Sequence, residues 1–363
     1  PNIKHVVYDS IQSDAALNAY EKYYGIRGLA DYDFSKANTI VGIDADFLGD
    51  WQGGGYEKGY AQSKTPKKNN GKSTMLWHMQ FESNMTLTGA NSDHRVPCTP
   101  ADQKNILAYL YDLLSESGSS TNLPENLKNA TEKAAKQLLK SGSNSVVVSG
   151  IEDETAQSLV FVINKMLKSN AFKPEQPRLI RQAKLSNVKN AFKELINGNA
   201  NGFITFGINP LYTTSYGSEL TETIKNLEFS LSFTSKLDET ASASKFVAAT
   251  PHYLESWGDY EMKLGHYSLA QPTIRPLFDT QQFQDVLLRL SGKKTKYYDE
   301  IKSHWNSNIL NSKSWSKTLH DGYFSKEPKY RSLVKNFSDL NINSLRKDNP
   351  RDMTLVLYTK TGM

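Results

Sequence analysis

The chain has 363 residues, 38% hydrophobic and 22% charged, enough for two domains with separate buried cores. No apolar run reaches the ~18 residues that cross a bilayer, so direct membrane insertion is not expected and any membrane association has to come through a partner. The net charge of +5 (pI near 8.9) is spread out except for Lys64, Lys67, Lys68 and Lys72, a cluster with no interleaved aromatics to stack bases, so nucleic acid is not indicated.

In chain order, His5-Val6-Val7-Tyr8 reads as a short buried strand, and Asp14 to Tyr24 has helical periodicity ending near Gly25. Thr39–Ile43 reads as a strand that runs into Asp44-Ala45-Asp46 and then a Gly-rich loop, Gly53-Gly54-Gly55. Met75–Phe81 is a strand candidate, Ile106–Leu114 a helix, 115–124 a Ser/Gly/Asn-rich loop and Glu125–Leu139 a helix. A second series opens at Gly142 with the strand Ser145–Val148 and the helix Thr155–Leu167. The helix Asn187–Ile196 comes next, and Asn197-Gly198 suits a left-handed cap for it. Strands Phe203–Phe206, Phe229–Phe233 and Phe246–Ala249 follow. Beyond about residue 280 the chain turns helical and polar, with Trp305 and Trp315 as anchors, and Met353–Tyr358 is a last strand candidate without an obvious partner.

Short apolar strands alternating with helices imply parallel sheets covered on both faces. The pattern starts twice. It predicts an α/β fold of two doubly wound, Rossmann-like parallel-sheet domains over 1–140 and 141–300, with a helical extension over 301–363. Pro1 without an initiator methionine or signal peptide, and Met363 just after a strand-like run, read as cut ends of a larger protein.

Ligands of open parallel sheets bind where strand carboxyl ends meet helix N-termini. Three polar loops fall at such ends: Asp44-Ala45-Asp46, Gly207-Ile208-Asn209-Pro210 and Asp238-Glu239-Thr240-Ala241. Ordinary strand-to-helix turns use the same residue types. Gly71-Lys72-Ser73-Thr74 looks like the end of a phosphate-binding loop, but Pro66 stands where its first glycine belongs, and a strand rather than a helix follows. Asp44-Ala45-Asp46 also matches the Asp-x-Asp pattern of metal-dependent nucleotide-sugar transferases, in which strand alternation would point both carboxylates to one side. His252 and Glu255 would share a face only on a helix, and their Pro, Trp and Gly neighbours suggest a hydrogen-bonded loop instead. The single cysteine, Cys98, excludes a disulfide framework and any cysteine-ligated zinc or iron–sulfur centre within this chain. Its Pro-flanked surroundings argue against a nucleophile. No Gly-x-Ser-x-Gly elbow supports a Ser–His–Asp triad.

Taken in order, these pieces resemble the molybdopterin oxidoreductases. Asp33–Asp46 is similar to their aspartate–alanine–strand–Ala-Asp segment, and Phe47-Leu48-Gly49-Asp50-Trp51 to the Phe-Leu-Gly-x-Trp that follows it. Leu87–Pro97, Asn199–Pro210 and Leu237–Pro251 resemble further elements of the family. Leu254–Asp259, Gln271-Pro272 and Pro276-Leu277 look like its polysulfide-reductase-like branch, above all the molybdopterin-like subunit of bacterial alternative complex III. No single motif carries the resemblance; their number and order do.

The resemblance implies the central domains of the formate dehydrogenase/DMSO reductase fold, with a C-terminal domain beginning past Met363. It implies a subunit of a quinol-oxidising respiratory complex on the periplasmic face of a bacterial inner membrane, beside iron–sulfur, haem c and quinol-binding subunits. It makes Asp44, Asp46, Gly207, Asn209, Glu239 and Thr240 vestigial pterin-nucleotide loops. Asp44-Ala45-Asp46 replaces the Gly-x-Asn of active members and sets negative charge where a phosphate would sit, so the region is expected to hold no cofactor and no metal, and to be inactive by itself. The alternative is an active molybdenum-dependent polysulfide, thiosulfate or tetrathionate reductase, with molybdopterin guanine dinucleotide and an iron–sulfur cluster supplied by the full-length protein.

Overall fold

The structure, a computed structural model, describes residues 3–11, 13–69, 72–118, 122–327, 337–347 and 353–358. It divides into one unit of Ser13–Arg181 with Lys329–Met363 and another of Pro1–Gln12 with Gln182–Pro328.

The first of these units contains α1 (Asp14–Tyr24), β1 (Leu29–Tyr32), β2 (Thr39–Ile43), β3 (Trp77–Glu82), β4 (His94–Pro97), α2 (Pro100–Ser115), α3 (Glu125–Ser141), β5 (Ser145–Ser149), α4 (Glu154–Met166) and β6 (Phe172–Arg178). Four strands form a parallel sheet in the order β4-β3-β2-β5. By rank along the chain this is 3-2-1-4, the half-sheet order of nucleotide-binding α/β folds. All five residues of β2 and all five of β5 are buried, as a sheet covered on both faces requires.

Alternation along the strands sorts two cores. Val41, Ile43, Met79, Phe81 and Val147 face Ile106 and Leu110 of α2, Leu138 of α3 and Ile163 of α4. Ile40, Val146 and Val148 face Tyr20 and Tyr24 of α1 together with Phe34 and Phe47. Truncating a fully buried Phe81 to Ala costs about 3–5 kcal/mol. On the free edge of β5 the Asn164 side chain both donates to Val147 O (2.8 Å) and accepts from Val147 N (2.9 Å), replacing a missing ladder partner.

α2 starts six residues before Ile106, where the sequence placed its start, because Thr99 and Asp102 form a reciprocal cap with Pro100 at the first helical position. Gly25, with φ 77°, ends α1 as expected.

The second unit contains α5 (Leu185–Ile196), β7 (Gly202–Phe206), α6 (Gly217–Asn226), β8 (Phe229–Thr234), β9 (Phe246–Ala249), β10 (Gly258–Lys263), β11 (His266–Ala270), α7 (Phe283–Leu290) and β12 (Tyr323–Ser325). β9-β8-β7 is a three-stranded parallel sheet. α5 and α6 cover one face of it through Val188, Phe192, Leu220 and Ile224. β10, β11 and β12 form an antiparallel ladder. Trp305 and Trp315 anchor a separate cluster against Phe324, and Trp305 Nε1 donates to Asp259 (2.9 Å).

An α/β protein with two parallel sheets is therefore borne out. The units are not divided at residue 140, as expected from the sequence, because β5 (Ser145–Ser149) completes the sheet of β2. His5–Tyr8 is no strand; Val6 and Tyr8 pack against the core of α5 and α6 as irregular chain. Met353–Tyr358 also has no ladder, with Met353 90% and Leu357 85% exposed. Gly71 of the phosphate-loop look-alike and residues 119–121 of the Ser/Gly/Asn-rich loop lie outside the described residues, as do the side chains of Lys67, Lys68 and Lys72. No helix among the described residues is long and apolar enough to cross a membrane.

Candidate functional site

In a sheet of order 3-2-1-4 the chain reverses direction between ranks 1 and 4, so a crevice is expected between the carboxyl ends of β2 and β5. Asp44 follows β2 and Gly150 follows β5. Gly150 N donates to Ile43 O (2.9 Å), and a Cβ at Gly150 would lie 1.9 Å from Asp44 O and 3.4 Å from Ala45 Cα. The two backbones abut where the crevice would open. Two glutamines hold this closure: Gln157 Nε2 donates to Ser149 O and Ile151 O (3.0 and 2.8 Å), and Gln103 Nε2 donates to Asp44 Oδ1 and Ser83 Oγ (3.1 Å each).

Asp44 has φ 57°, which ends the strand and breaks its alternation. Asp44 and Asp46 therefore go to different partners and do not act as a pair. Asp46 Oδ1 accepts from Thr88 N (3.0 Å) and Oγ1 (2.7 Å), while Asp44 meets Gln103. Among the described residues no cluster of three His, Cys, Asp or Glu side chains could hold a metal ion. Burial raises the Asp44 carboxyl to about 6, with Gln103 opposing and Glu82 adding to the shift. Part of the residue is nonetheless open to water, which screens the effect.

The charge around this strand end is negative. Glu82, fully buried at the end of β3, accepts from Arg95 Nε (2.6 Å) and from Thr86 N and Oγ1. Asp153 accepts from Ala156 N (3.0 Å), so a carboxylate already caps the N-terminus of α4, the usual seat for a phosphate. Of the nearby cations, Arg95 is committed to Glu82 and Lys104 lies 3.5 Å from Asp153. The acids at this strand end would repel a phosphate-bearing pterin nucleotide. The Cys98 thiol is held in its protonated form. Burial, reinforced by Asp102, Asp44 and Glu82, pushes its thiol up to about 12.

Gln80 and His78 support the Asp44–Asp46 loop from below. His78, Gln80 and Glu82 alternate on one side of β3 and are all fully buried. Gln80 Nε2 donates to Ala45 O (3.2 Å), and His78 reaches Gln80 Oε1 (3.4 Å) and Tyr60 (3.1 Å). Gln80 lies over Gly42, where a Cβ would come within 1.9 Å of Gln80 Oε1, so glycine is required in the middle of β2. Nearby, Arg178 Nη1 donates to Gln52 O and Gly54 O (2.6 and 2.7 Å), clamping the Gly-rich loop in which Gln52, Gly53, Gly54 and Gly55 all have positive φ.

In the other unit the structure does gather its sequence-predicted residues. Asn209, after β7, donates from Nδ2 to Glu239 (2.6 Å) and accepts at Oδ1 from Thr240 N (3.2 Å) and Oγ1 (2.8 Å), after β8. Thr240 is buried, whereas Glu239 is exposed and held below the usual carboxylate range by the Asn209 hydrogen bond. Gly207, at φ 64° with open space around its Cα, lets the chain leave β7. The Asn209 side chain is thus used in joining two adjacent strand ends. His252 and Glu255 cap a single 3₁₀ turn, the hydrogen-bonding role expected from sequence.

Gln103, Gln157, Gly150 and Asp153 are missing from the sequence reading. Gly150 directly after an apolar strand, and Asp153 three residues before the helix-facing Ala156, were the available signals.

No family model matches the chain. Over 94 residues, 25% of its length, it is 37% identical to a menaquinone reductase molybdopterin-binding-like subunit of Nitratidesulfovibrio vulgaris, and it spans 14% of that protein. Its fold is similar to that of acetylene hydratase from Pelobacter acetylenicus, with a TM-score of 0.60 at 11% identity over 93% of this chain and 60% of that one. It is also similar to the formyltransferase/hydrolase complex of Methylorubrum extorquens, with a TM-score of 0.50 at 12% identity over 77% of this chain and 82% of that one. The likeness in sequence is confined to those 94 residues, and the likenesses to the two solved structures are of fold.

Proposed function

From these likenesses we propose that the chain is part of a molybdopterin-oxidoreductase-like subunit in a respiratory quinone or quinol electron-transfer complex, of the alternative complex III type, and that it serves there as a cofactor-free structural part. The relative from Nitratidesulfovibrio vulgaris is by name a molybdopterin-binding-like subunit of a menaquinone reductase, which supports a place among partner subunits. Iron–sulfur, haem c and quinol-binding subunits at the periplasmic face of a bacterial inner membrane are the neighbours this reading assigns.

One observation carries the cofactor-free part: Asp44 and Gly150 abut where the sheet reverses direction, with Glu82 acting on Asp44 and Asp153 capping the helix that follows Gly150. A dinucleotide needs both room for its pyrophosphate and donors to bind it. Here the Asp44 carbonyl lies against Gly150 and a carboxylate caps the helix.

Elemental and pterin analysis of the full-length protein, purified with its partners, tests this. The expectation is no stoichiometric molybdenum and no pterin nucleotide released on denaturation. Molybdenum and pterin recovered at one per subunit would replace it with the active molybdenum-dependent reductase.

A further inference from the structure

The Asn-Gly step that caps α5 recurs four residues later. The segment Asn197-Gly198-Asn199-Ala200-Asn201-Gly202 holds two such steps, and Gly202 opens β7. An asparagine followed by glycine is where a chain most readily attacks itself, because the next residue has no Cβ to shield its backbone nitrogen. The attack needs that nitrogen free to lose its proton and the asparagine side chain free to swing onto it. All four residues of the two steps are exposed, so access to water does not separate them. Their backbone amides do.

At the first step the amide is in use. Gly198, at φ 74°, donates to Leu195 O (3.1 Å), and Asn199 N donates to Glu194 O (2.9 Å), the two bonds of a Schellman cap. Asn197 N donates to Lys193 O (2.9 Å). Closing a ring on Gly198 N would take its hydrogen from the cap.

At the second step the amide is free. β7 lies at the edge of its sheet and pairs only with β8. Asn201 O accepts from Phe229 N (3.3 Å) at the start of that ladder. The carbonyl and the N–H of a trans peptide unit point opposite ways, so this bond turns Gly202 N–H to the open edge. Among the described residues that N–H meets no acceptor, and the Asn201 side chain makes no hydrogen bond.

We propose that Asn201 is a site of spontaneous deamidation and isoaspartate formation, and that the α5 cap protects Asn197 from the same reaction. Gly202 N gives its proton to hydroxide and attacks Asn201 Cγ. A C–N bond forms, a succinimide ring closes, and the side-chain nitrogen leaves as ammonia. Water then opens the ring at either carbonyl. Opening at the side-chain carbonyl gives aspartate; opening at the main-chain carbonyl gives isoaspartate, with a backbone one methylene longer. Either product adds a negative charge. In the isoaspartyl form the oxygen that accepted from Phe229 N belongs to a free carboxylate, so the first rung of the β7–β8 ladder is altered. The proposal is independent of the subunit reading, because it invokes neither a cofactor nor a partner.

The test incubates the 363-residue chain in warm, mildly alkaline buffer and follows each asparagine by tandem mass spectrometry of its peptides. Conversion at Asn201 is expected to be roughly tenfold faster, or more, than at Asn197. In urea, where the cap is lost, the two rates should converge. Gly202→Ala should slow Asn201 by a similar factor and leave Asn197 unchanged. Its Cβ would lie 3.6 Å from Phe229, an ordinary contact, so urea unfolding should show no loss of stability. Equal rates in the folded chain, faster conversion at Asn197, or a ratio that urea leaves unaltered overturns the proposal. So does an Asn201 that stays intact in the folded chain while urea converts it, or one whose rate ignores Gly202→Ala. A third Asn-Gly step, Asn70-Gly71, lies outside the described residues.

Discussion

His78 lies fully buried on β3, between Tyr60 and Gln80, and its protonation sets a pH dependence that can be worked from the structure. Burial pushes its imidazole down to about 4; the Gln80 contact opposes this, Lys64 adds to it and Asp93 opposes it. In the unfolded chain the ring titrates near 6.5, so between pH 6.5 and 4 the unfolded state holds the extra proton. Stability from this group is complete above pH 6.5 and is lost as the pH falls towards 4. The move from 6.5 to about 4 is worth roughly 3 kcal/mol at ~1.36 kcal/mol per pH unit. His78→Gln removes the titration and loses ring packing against Phe47, so it is less stable than the parent at pH 7. On acidification to pH 4 the gap should narrow by ~3 kcal/mol. Urea unfolding followed by tryptophan fluorescence at several pH values measures both curves. A gap that stays constant from pH 7 to pH 4 would refute the claim that His78 is buried neutral.

Gly42→Ala is expected to cost about 1–3 kcal/mol because its Cβ meets the Gln80 amide, and the double variant Gly42→Ala/Gln80→Ala should recover part of that loss in the same unfolding assay. Gly150→Ala faces the Asp44 backbone instead, so its loss, of about the same size or larger, should not be rescued by Asp44→Ala. Arg95→Ala leaves the buried Glu82 carboxylate without its cation and should destabilise by about 3 kcal/mol, read as a lower urea midpoint. Asp44→Asn keeps the left-handed backbone that asparagine tolerates and removes a carboxyl raised to about 6. It should therefore stabilise above pH 6, by about 1 kcal/mol or less after screening by water, with the gain vanishing below pH 3.8. A constant gain at all pH values would mean that the charge is not its source.

The helices and the parallel strands are legible in the sequence because each signal is local. Asp14–Tyr24 shows its period and its glycine stop, and Thr39–Ile43 its unbroken apolar run. Elements whose partners are distant are not. β1 is four residues long and pairs antiparallel with β6, from Leu29↔Arg178 to Tyr32↔Phe172, and nothing in either segment announces the other. The β10–β11 hairpin is half-buried throughout β11, which weakens its alternation. In the candidate site, Asn209, Glu239 and Thr240 could be grouped because adjacent parallel strands bring equivalent ends together. The Asp44–Asp46 pair could not be resolved, since the positive φ at Asp44 that turns its carboxylate away is a backbone property. The closing contact at Gly150 depends on two strands about a hundred residues apart lying side by side, a spacing no motif encodes.

The position of β2 in the middle of its sheet has a cost during synthesis. Thr39–Ile43 is made first, yet one of its neighbours, Ser145–Ser149, follows roughly a hundred residues later. At ~5–20 residues per second, one apolar edge stays unpaired for roughly 5–20 s while the chain emerges from the ribosome. An exposed strand edge of this kind is a template for aggregation, so this stretch of the nascent chain is where a holding chaperone would matter most.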